Sequence, residues 1–313
     1  MTKSKIEWTD EVWNPVTGCS KVSDGCKNCY AERITARFRK DHLPWTLQNA
    51  AHNVVLHPDR VEEPFHWRKP RRVFVNSMSD LFHELVPAEF IYRIFEVMAS
   101  VQQHTFQILT KRAERMAQVV PRINEYLESK MLSTDNVWLG VSVENQAAAD
   151  ERIPLLLQTP AAVRFLSCEP LLGPVDLGRV TPCGYYCDEK VGHVDHQFWT
   201  PGINGGINWV IVGGESGPGA RAMNPKWARS LRDQCVEAGV PFFFKQWGEW
   251  APLYEIQDDD KVVAGLQGLL GTTHFDEVSG IGGDTEAYRV GKHAAGRLLD
   301  GYEWTEYPEV KHD

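Results

Sequence analysis

The chain of 313 residues is 42% hydrophobic and 24% charged, an ordinary globular composition with room for one large α/β domain or two small ones. Its net charge of −9 excludes a generally basic nucleic-acid binder, though not a local basic groove. The N-terminus lacks the apolar core of a signal peptide, no run approaches the roughly 20 apolar residues of a membrane span, and the expected setting is the cytoplasm without a membrane partner.

Ile6–Trp8 reads as a first strand, and Asn14-Pro15 then breaks the chain into the loop Thr17-Gly-Cys-Ser-Lys-Val-Ser-Asp-Gly-Cys-Lys-Asn-Cys-Tyr-Ala31. Tyr30–Arg39 follows as a helix with apolar residues at Tyr30, Ala31, Ile34 and Phe38. Residues 40–71 carry Pro44, Pro58, Pro64 and Pro70 and read as a long connection with short helices. Arg72–Asn76 is a strand running into Ser77–Asp80, and a helix after Pro87 carries Phe90, Ile91, Ile94, Phe95 and Met98 on one face.

The unit then repeats. Strands at Thr105–Thr110, Val137–Val143, Val163–Ser167, Trp209–Gly213 and Val240–Phe244 alternate with helices through Met116 and Val119, over Ala147–Leu157 and over Lys226–Ala238. Short buried strands alternating with helices require crossover connections and a parallel sheet. Polar residues bunch at the C-terminal ends of these strands, where (β/α) barrels build their sites. The expected fold is therefore α/β, a complete or partial (β/α) TIM-like barrel over residues 1–250. An irregular insertion at 171–208 and a Gly-rich appendage at 251–313 interrupt and follow the rhythm.

Seven cysteines in a chain without secretory features point to metal or redox chemistry rather than to a disulfide framework. Cys19, Cys26 and Cys29 fall within eleven residues as C-x6-C-x2-C. Gly18 and Gly25 each precede a cysteine, which suits a loop folding back so that thiolates converge. Three thiolates match an iron–sulfur cluster with one iron left open. They also match a zinc site completed by Cys168 or a histidine, or no metal at all. In the insertion, Cys183, Cys187, His193 and His196 have the N/S donor set of a structural zinc site, against the plain alternative of a solvated loop.

Gly213-Gly-Glu-Ser-Gly-Pro-Gly219 lies between a strand and a helix and reads either as a nest of backbone amides or as a tight turn. Asp80, Lys111, Arg112, Glu144, Asn145, Glu169, Lys245 and Gln246 all fall just past expected strand ends, where a polar pocket at a barrel mouth would need them. Of these, Lys111, Arg112 and Lys245 suit phosphate or carboxylate groups, and Glu169 and Gln246 are further candidates for substrate contact.

The arrangement resembles the radical S-adenosylmethionine (SAM) enzymes, and more closely the phage-associated three-cysteine-motif family. The resemblance rests on Glu7-Trp-Thr, Trp13-Asn-Pro-Val-Thr-Gly-Cys19, Gly25-Cys-Lys-Asn-Cys-Tyr-Ala-Glu32, Phe74-Val-Asn-Ser-Met-Ser-Asp80, Leu109-Thr-Lys-Arg112, Gly140-Val-Ser-Val-Glu144, Gly213-Gly-Glu-Ser-Gly217, Phe244-Lys-Gln-Trp-Gly248 and Ala295-Gly-Arg-Leu-Leu-Asp-Gly301. It implies a [4Fe–4S] cluster on Cys19, Cys26 and Cys29 whose open iron binds SAM. It further implies SAM contacts from Asn76, Asp80, Glu144, Asn145, Gly213, Gly214, Glu215 and Ser216, and a methyltransferase-like partner protein. The chain departs from the superfamily pattern in two ways. Its first cysteine spacing is six rather than three, with Tyr30 after the third cysteine instead of an aromatic before it, and its Gly-Gly-Glu follows a late strand rather than the second.

Two readings follow. The first is a radical SAM-like enzyme acting on a nucleotide or nucleic acid. The second is a SAM-independent zinc or iron–sulfur protein that binds nucleic acid or docks a partner.

Overall fold

The computed structural model describes residues 4, 6–179, 206–275 and 286–309. Its sheet elements begin with β1 (Glu11–Trp13), β2 (Val16–Thr17), β3 (Val55–Leu56) and β4 (Arg72–Val75), with helices α1 (Tyr30–Phe38) and α2 (Ala50–Asn53) between β2 and β3. Then come α3 (Ala88–Ser100), β5 (Thr105–Thr110), α4 (Ala113–Glu128), β6 (Val137–Ser142), α5 (Gln146–Gln158) and β7 (Val163–Cys168). β8 (Trp209–Gly213), α6 (Pro225–Ala238) and β9 (Phe242–Gln246) complete the alternation.

The main sheet has seven strands in the order β1-β4-β5-β6-β7-β8-β9, and the registers of β1–β4, β4–β5, β5–β6 and β8–β9 are all parallel. Strands that neighbour one another in sequence order, most of them joined through a helix among the described residues, make this an α/β fold of the partial (β/α) TIM-like barrel kind, with β1 and β9 at the two ends of the sheet. Val, Ile, Phe and Leu dominate the strands because each is covered on both faces, and β6 and β8 are buried along their whole length.

Local chemistry sets the element ends. Pro87 precedes α3, where a missing amide hydrogen costs nothing. Asn224 caps α6 by accepting from the Lys226 amide, with Pro225 in the first turn. The chain departs from the expected first strand: residues 6–8 form a turn, and the strand is β1 at Glu11–Trp13. Trp8 is instead a core anchor, its ring 4.7 Å from Phe74 and 6.3 Å from Phe165. A buried aromatic contact of this kind outweighs the β propensity of a three-residue run. The last strand also shifts, so that Lys245 and Gln246 lie within β9 rather than beyond it.

The contacts divide the chain into two compact units. The first comprises Met1–Ser142 and Arg152–Phe165, and the second Val143–Glu151 and Leu166–Asp313. The first has a core of Trp8, Trp13, Val73, Phe106, Ile94 and Met98. The second centres on Trp209–Val212, Leu231, Cys235 and Phe242–Phe244.

In the second unit the appended segment forms β10 (Trp250–Ala251), α7 (Asp259–Leu266), β11 (Thr272–His274), β12 (Glu286–Arg289) and α8 (Lys292–Ala295), with β10, β12 and β11 in a three-stranded sheet. Its tail returns to β9. The Phe244 amide donates to the Trp304 carbonyl at 2.9 Å, the Glu306 amide to the Phe242 carbonyl at 3.2 Å, and the Trp209 indole to the Glu306 carbonyl at 2.8 Å. That tail covers a sheet edge that would otherwise present unpaired backbone groups.

Among the described residues no helix is long and apolar enough to cross a membrane. Cys183, Cys187, His193 and His196 lie outside the described residues, so the expected zinc site in the insertion does too.

Candidate functional site

In the first unit the cysteine loop is held by the segment that follows β4. Gly18 donates its amide to the Met78 carbonyl at 2.9 Å, and its φ of +83° together with a hypothetical Cβ only 1.9 Å from the Asn53 carbonyl oxygen leaves glycine as the residue that fits. Asn76, itself at φ +62°, accepts from the Val16 amide at 3.2 Å through its side-chain oxygen. Ser79 donates to the Val16 carbonyl at 2.9 Å, and Tyr30 donates to the Ser77 carbonyl at 2.5 Å. The stretch Asn76–Asp80 therefore works as a cradle for the cysteine loop.

Beneath the loop sits a buried guanidinium. Arg112 is 7% exposed, and its Nη1 lies 3.1 Å from the Asp80 carboxylate and 3.4 Å from Cys19 Sγ. Its Nη2 donates to the Ser20 carbonyl at 3.1 Å and to Ser20 Oγ at 3.0 Å, and its Nε to Glu84 at 3.0 Å. His83 Nε2 is 2.9 Å from the same Ser20 hydroxyl. Asp80 is saturated, taking further hydrogen bonds from Thr110 Oγ1 at 2.8 Å and from the amides of Phe82 and Lys111 at 3.0 and 3.2 Å. Burial opposes the charge on Arg112, but the Asp80 carboxylate above all, and Glu84 with it, outweigh that and hold the guanidinium firmly protonated.

The three cysteines are half-buried and free of disulfides. Burial, reinforced by the Asp80 charge, pushes the Cys19 thiol up to about 12, against the pull of Arg112. As a thiol it donates to the Ser20 carbonyl at 3.4 Å. Cys26 ends a short 3₁₀ turn over Asp24–Cys26, and Cys29 sits at the N-cap of α1. Burial raises the Cys29 thiol as well, and the backbone amides of Glu32 and Ala31 in the first turn of α1 pull it back.

In chemistry this donor set suits a thiolate-bound group: three free sulfurs on one loop, one with a guanidinium N–H at its sulfur and one at a helix N-terminus. In geometry the arrangement is more open. Among the described residues no three His, Cys, Asp or Glu side chains converge as a metal ion requires.

The second unit gathers the later strand-end residues. Glu169 pairs with Lys245 at 3.1 Å, both side chains less than one-fifth exposed, and a Cβ on Gly213 would stand 2.6 Å from the Glu169 carboxylate. Gly214 passes so close to β9 that a Cβ there would meet the Trp247 carbonyl oxygen at 1.9 Å, and its amide donates to Gln246. Glu215 is tied by Arg221, which donates to it from its backbone amide at 2.8 Å, from Nε at 3.0 Å and from Nη2 at 2.7 Å. Gly217 donates to the Glu249 carboxylate at 3.0 Å.

The Gly-Gly-Glu stretch is thus a close-packed turn whose carboxylate serves its own loop. Asn145 caps α5 by accepting from the Ala148 amide at 3.0 Å, and the buried Glu144 accepts the Leu172 amide through its carbonyl at 2.7 Å. Gln246 donates to Ser216 Oγ at 3.1 Å, while its own Oε1 is buried without a hydrogen-bond partner.

Several residues of these networks were not singled out from the sequence: Ser20, His83, Glu84, Arg221 and Glu249. A usable signal existed for three of them. Ser20 adjoins a candidate ligand, and Asp80-Leu-Phe-His-Glu84 places three polar groups directly after a strand. Arg221 and Glu249 gave no such signal, because their partners depend on how the turn after β8 closes.

A family model described as "Protein of unknown function (DUF5131)" matches residues 3–308. No significant match was found among curated proteins or solved structures.

Proposed function

We propose a function for a chain that belongs to this family of proteins of unknown function: it is an iron–sulfur protein that resembles radical SAM enzymes and modifies or repairs a nucleotide or nucleic acid in the cytoplasm. The observation that carries the reading is the cysteine loop of the first unit. There Cys19, Cys26 and Cys29 remain free thiols, and Arg112 reaches Cys19 Sγ from a buried ion pair.

Cys19, Cys26 and Cys29 would hold the cluster. When bound, it would supply the electron that splits SAM at its sulfonium. The residues of the chain do the rest. Cys19 must lose its proton for a metal to bind, so loading releases protons and draws the loop together. Arg112 would then donate to a ligand thiolate, and hydrogen bonds to ligand sulfurs are one of the levers on cluster potential. Asn76 and Ser79 fix the loop's backbone while it tightens.

One observation favours the second reading, a SAM-independent metalloprotein: Glu215 is engaged three times by Arg221 and so is committed to its own turn. The test is anaerobic reconstitution with iron and sulfide, followed by EPR of the reduced protein with and without SAM. A [4Fe–4S]⁺ signal that shifts on adding SAM, with 5′-deoxyadenosine formed, supports the enzyme. A signal blind to SAM, or zinc alone, supports the second reading. A Cys26→Ala protein that folds and keeps all metal-dependent behaviour sinks both.

A further inference from the structure

Helix α1, directly after Cys29, turns its apolar stripe outward. Tyr30, Ile34 and Phe38 recur every four residues, a spacing that normally marks the core side of a helix. Here they are 45%, 42% and 76% exposed, and Ala31 is the buried residue of the helix. At about 100° per residue, Arg33 and Arg37 fall beside this stripe, so that all five side chains start from one face of about 140°. The Arg37 guanidinium lies 5.5 Å from the centre of the Phe38 ring.

The surrounding charge is equally distinctive. Residues 21–40 carry six basic residues (Lys21, Lys27, Arg33, Arg37, Arg39, Lys40) against two acidic ones (Asp24, Glu32), a net of +4 in a chain of net −9. Among the described residues Lys21 pairs with Glu32 at 2.7 Å and Arg39 with Asp41 at 2.8 Å, and Arg33 is engaged as well. Lys27, Arg37 and Lys40 stand exposed along the helix and its flanks.

We infer that this face of α1 is a docking surface for single-stranded nucleic acid. Exposed aromatics flanked by guanidinium and ammonium groups are what base stacking and backbone neutralisation require. Every base offers a π-face to an aromatic ring, so binding there by stacking is tolerant of sequence. A folded acidic protein would match the charge but would leave Phe38 and Tyr30, the most exposed and the largest apolar groups of the stripe, without stacking partners. The inference names the substrate class left open above and rests on that reading only for its link to catalysis; the surface itself is independent of any cluster.

The experiment is fluorescence anisotropy of a labelled 20-nucleotide oligo-dT, on full-length protein before and after cluster reconstitution, at several salt concentrations. Arg37→Glu and Phe38→Ala are compared with Arg122→Glu, an exposed arginine on α4. Phe38→Ala is expected to weaken binding roughly 5- to 150-fold. Arg37→Glu is expected to flatten the slope of log K against log salt by about 0.7 or more. Arg122→Glu should bind as the unchanged protein does. All three variants alter solvent-facing side chains, and equal urea midpoints verify their folding.

Absence of oligonucleotide binding, equal loss in Arg122→Glu, or tighter binding of a polyglutamate peptide than of the oligonucleotide overturns the inference. Iron content and EPR are read on the same samples. Binding by a protein that takes up no cluster on reconstitution therefore indicts the iron–sulfur reading alone, and a SAM-responsive cluster without binding indicts the docking surface alone.

Discussion

Replacing Arg112 by Met tests whether the cysteine loop stands on a buried ion pair. The methionine fills the space of the aliphatic stem but leaves the Asp80 carboxylate, whose side chain is 8% exposed, without its charge partner. Removing one member of a buried pair costs about 3–5 kcal/mol. Asp80 keeps three neutral donors, from Thr110, Phe82 and Lys111, and the Glu84 partner is 59% exposed and adds little. The expected loss therefore sits near the lower end, about 3 kcal/mol, against which the two lost hydrogen bonds to Ser20 add a further ~1 kcal/mol. With a urea slope of about 3 kcal/mol/M, the midpoint falls by about 1 M or slightly more. The double variant Asp80→Asn with Arg112→Met removes both charges together and should recover much of the loss. A single-variant loss below about 1 kcal/mol, or a double variant less stable than the sum of its parts, refutes the argument that this pair supports the loop.

Three further outcomes follow from the same contacts. Gly18→Ala combines a positive φ with a Cβ clash against the Asn53 backbone, so it should cost about 2 kcal/mol or more in urea unfolding and lower the iron retained on reconstitution. Gln246→Met removes a buried amide whose oxygen has no partner, so stability should change by less than about 1.5 kcal/mol; a much larger activity loss in that variant would assign the amide to ligand binding. Burial lowers the basicity of both His57 and His104, so the unfolded chain takes up protons that the folded chain refuses. Stability should then fall as pH drops below about 6.5, and His104→Leu should flatten that fall when urea midpoints at pH 7.5 and 5.5 are compared.

The alternation of strands and helices was legible because it is a local signal. Val, Ile and Phe runs such as Trp209–Gly213 are buried on both faces, and Pro87 and Asn224 mark helix starts by their own backbone chemistry. The C-x6-C-x2-C loop was equally plain, since spacing along the chain is all it needs. Other features depend on what lies across the fold. Trp8 became a core anchor instead of a strand residue because Phe74 and Phe165 offered it ring contacts from distant positions. The stripe Tyr30-Ile34-Phe38 has the period of a buried face, yet period records only that apolar groups share a side; whether anything packs there is decided by other segments.

The same division applies to the site residues. Their placement near strand ends followed from the βα rhythm, but their roles did not. Asp80 and Arg112, 32 positions apart, read as separate ligand contacts and proved to be partners beneath Cys19. Glu215 read as a ligand group and is bound by Arg221, six residues on, through a turn whose closure depends on Gly214 passing over Trp247. Sequence by itself determined which chemistries the chain carries and at what period they recur. Tertiary structure decided which charges neutralise one another and which apolar side chains stay in water, because a side chain's energy depends on its neighbours in space, and those neighbours come from distant parts of the chain.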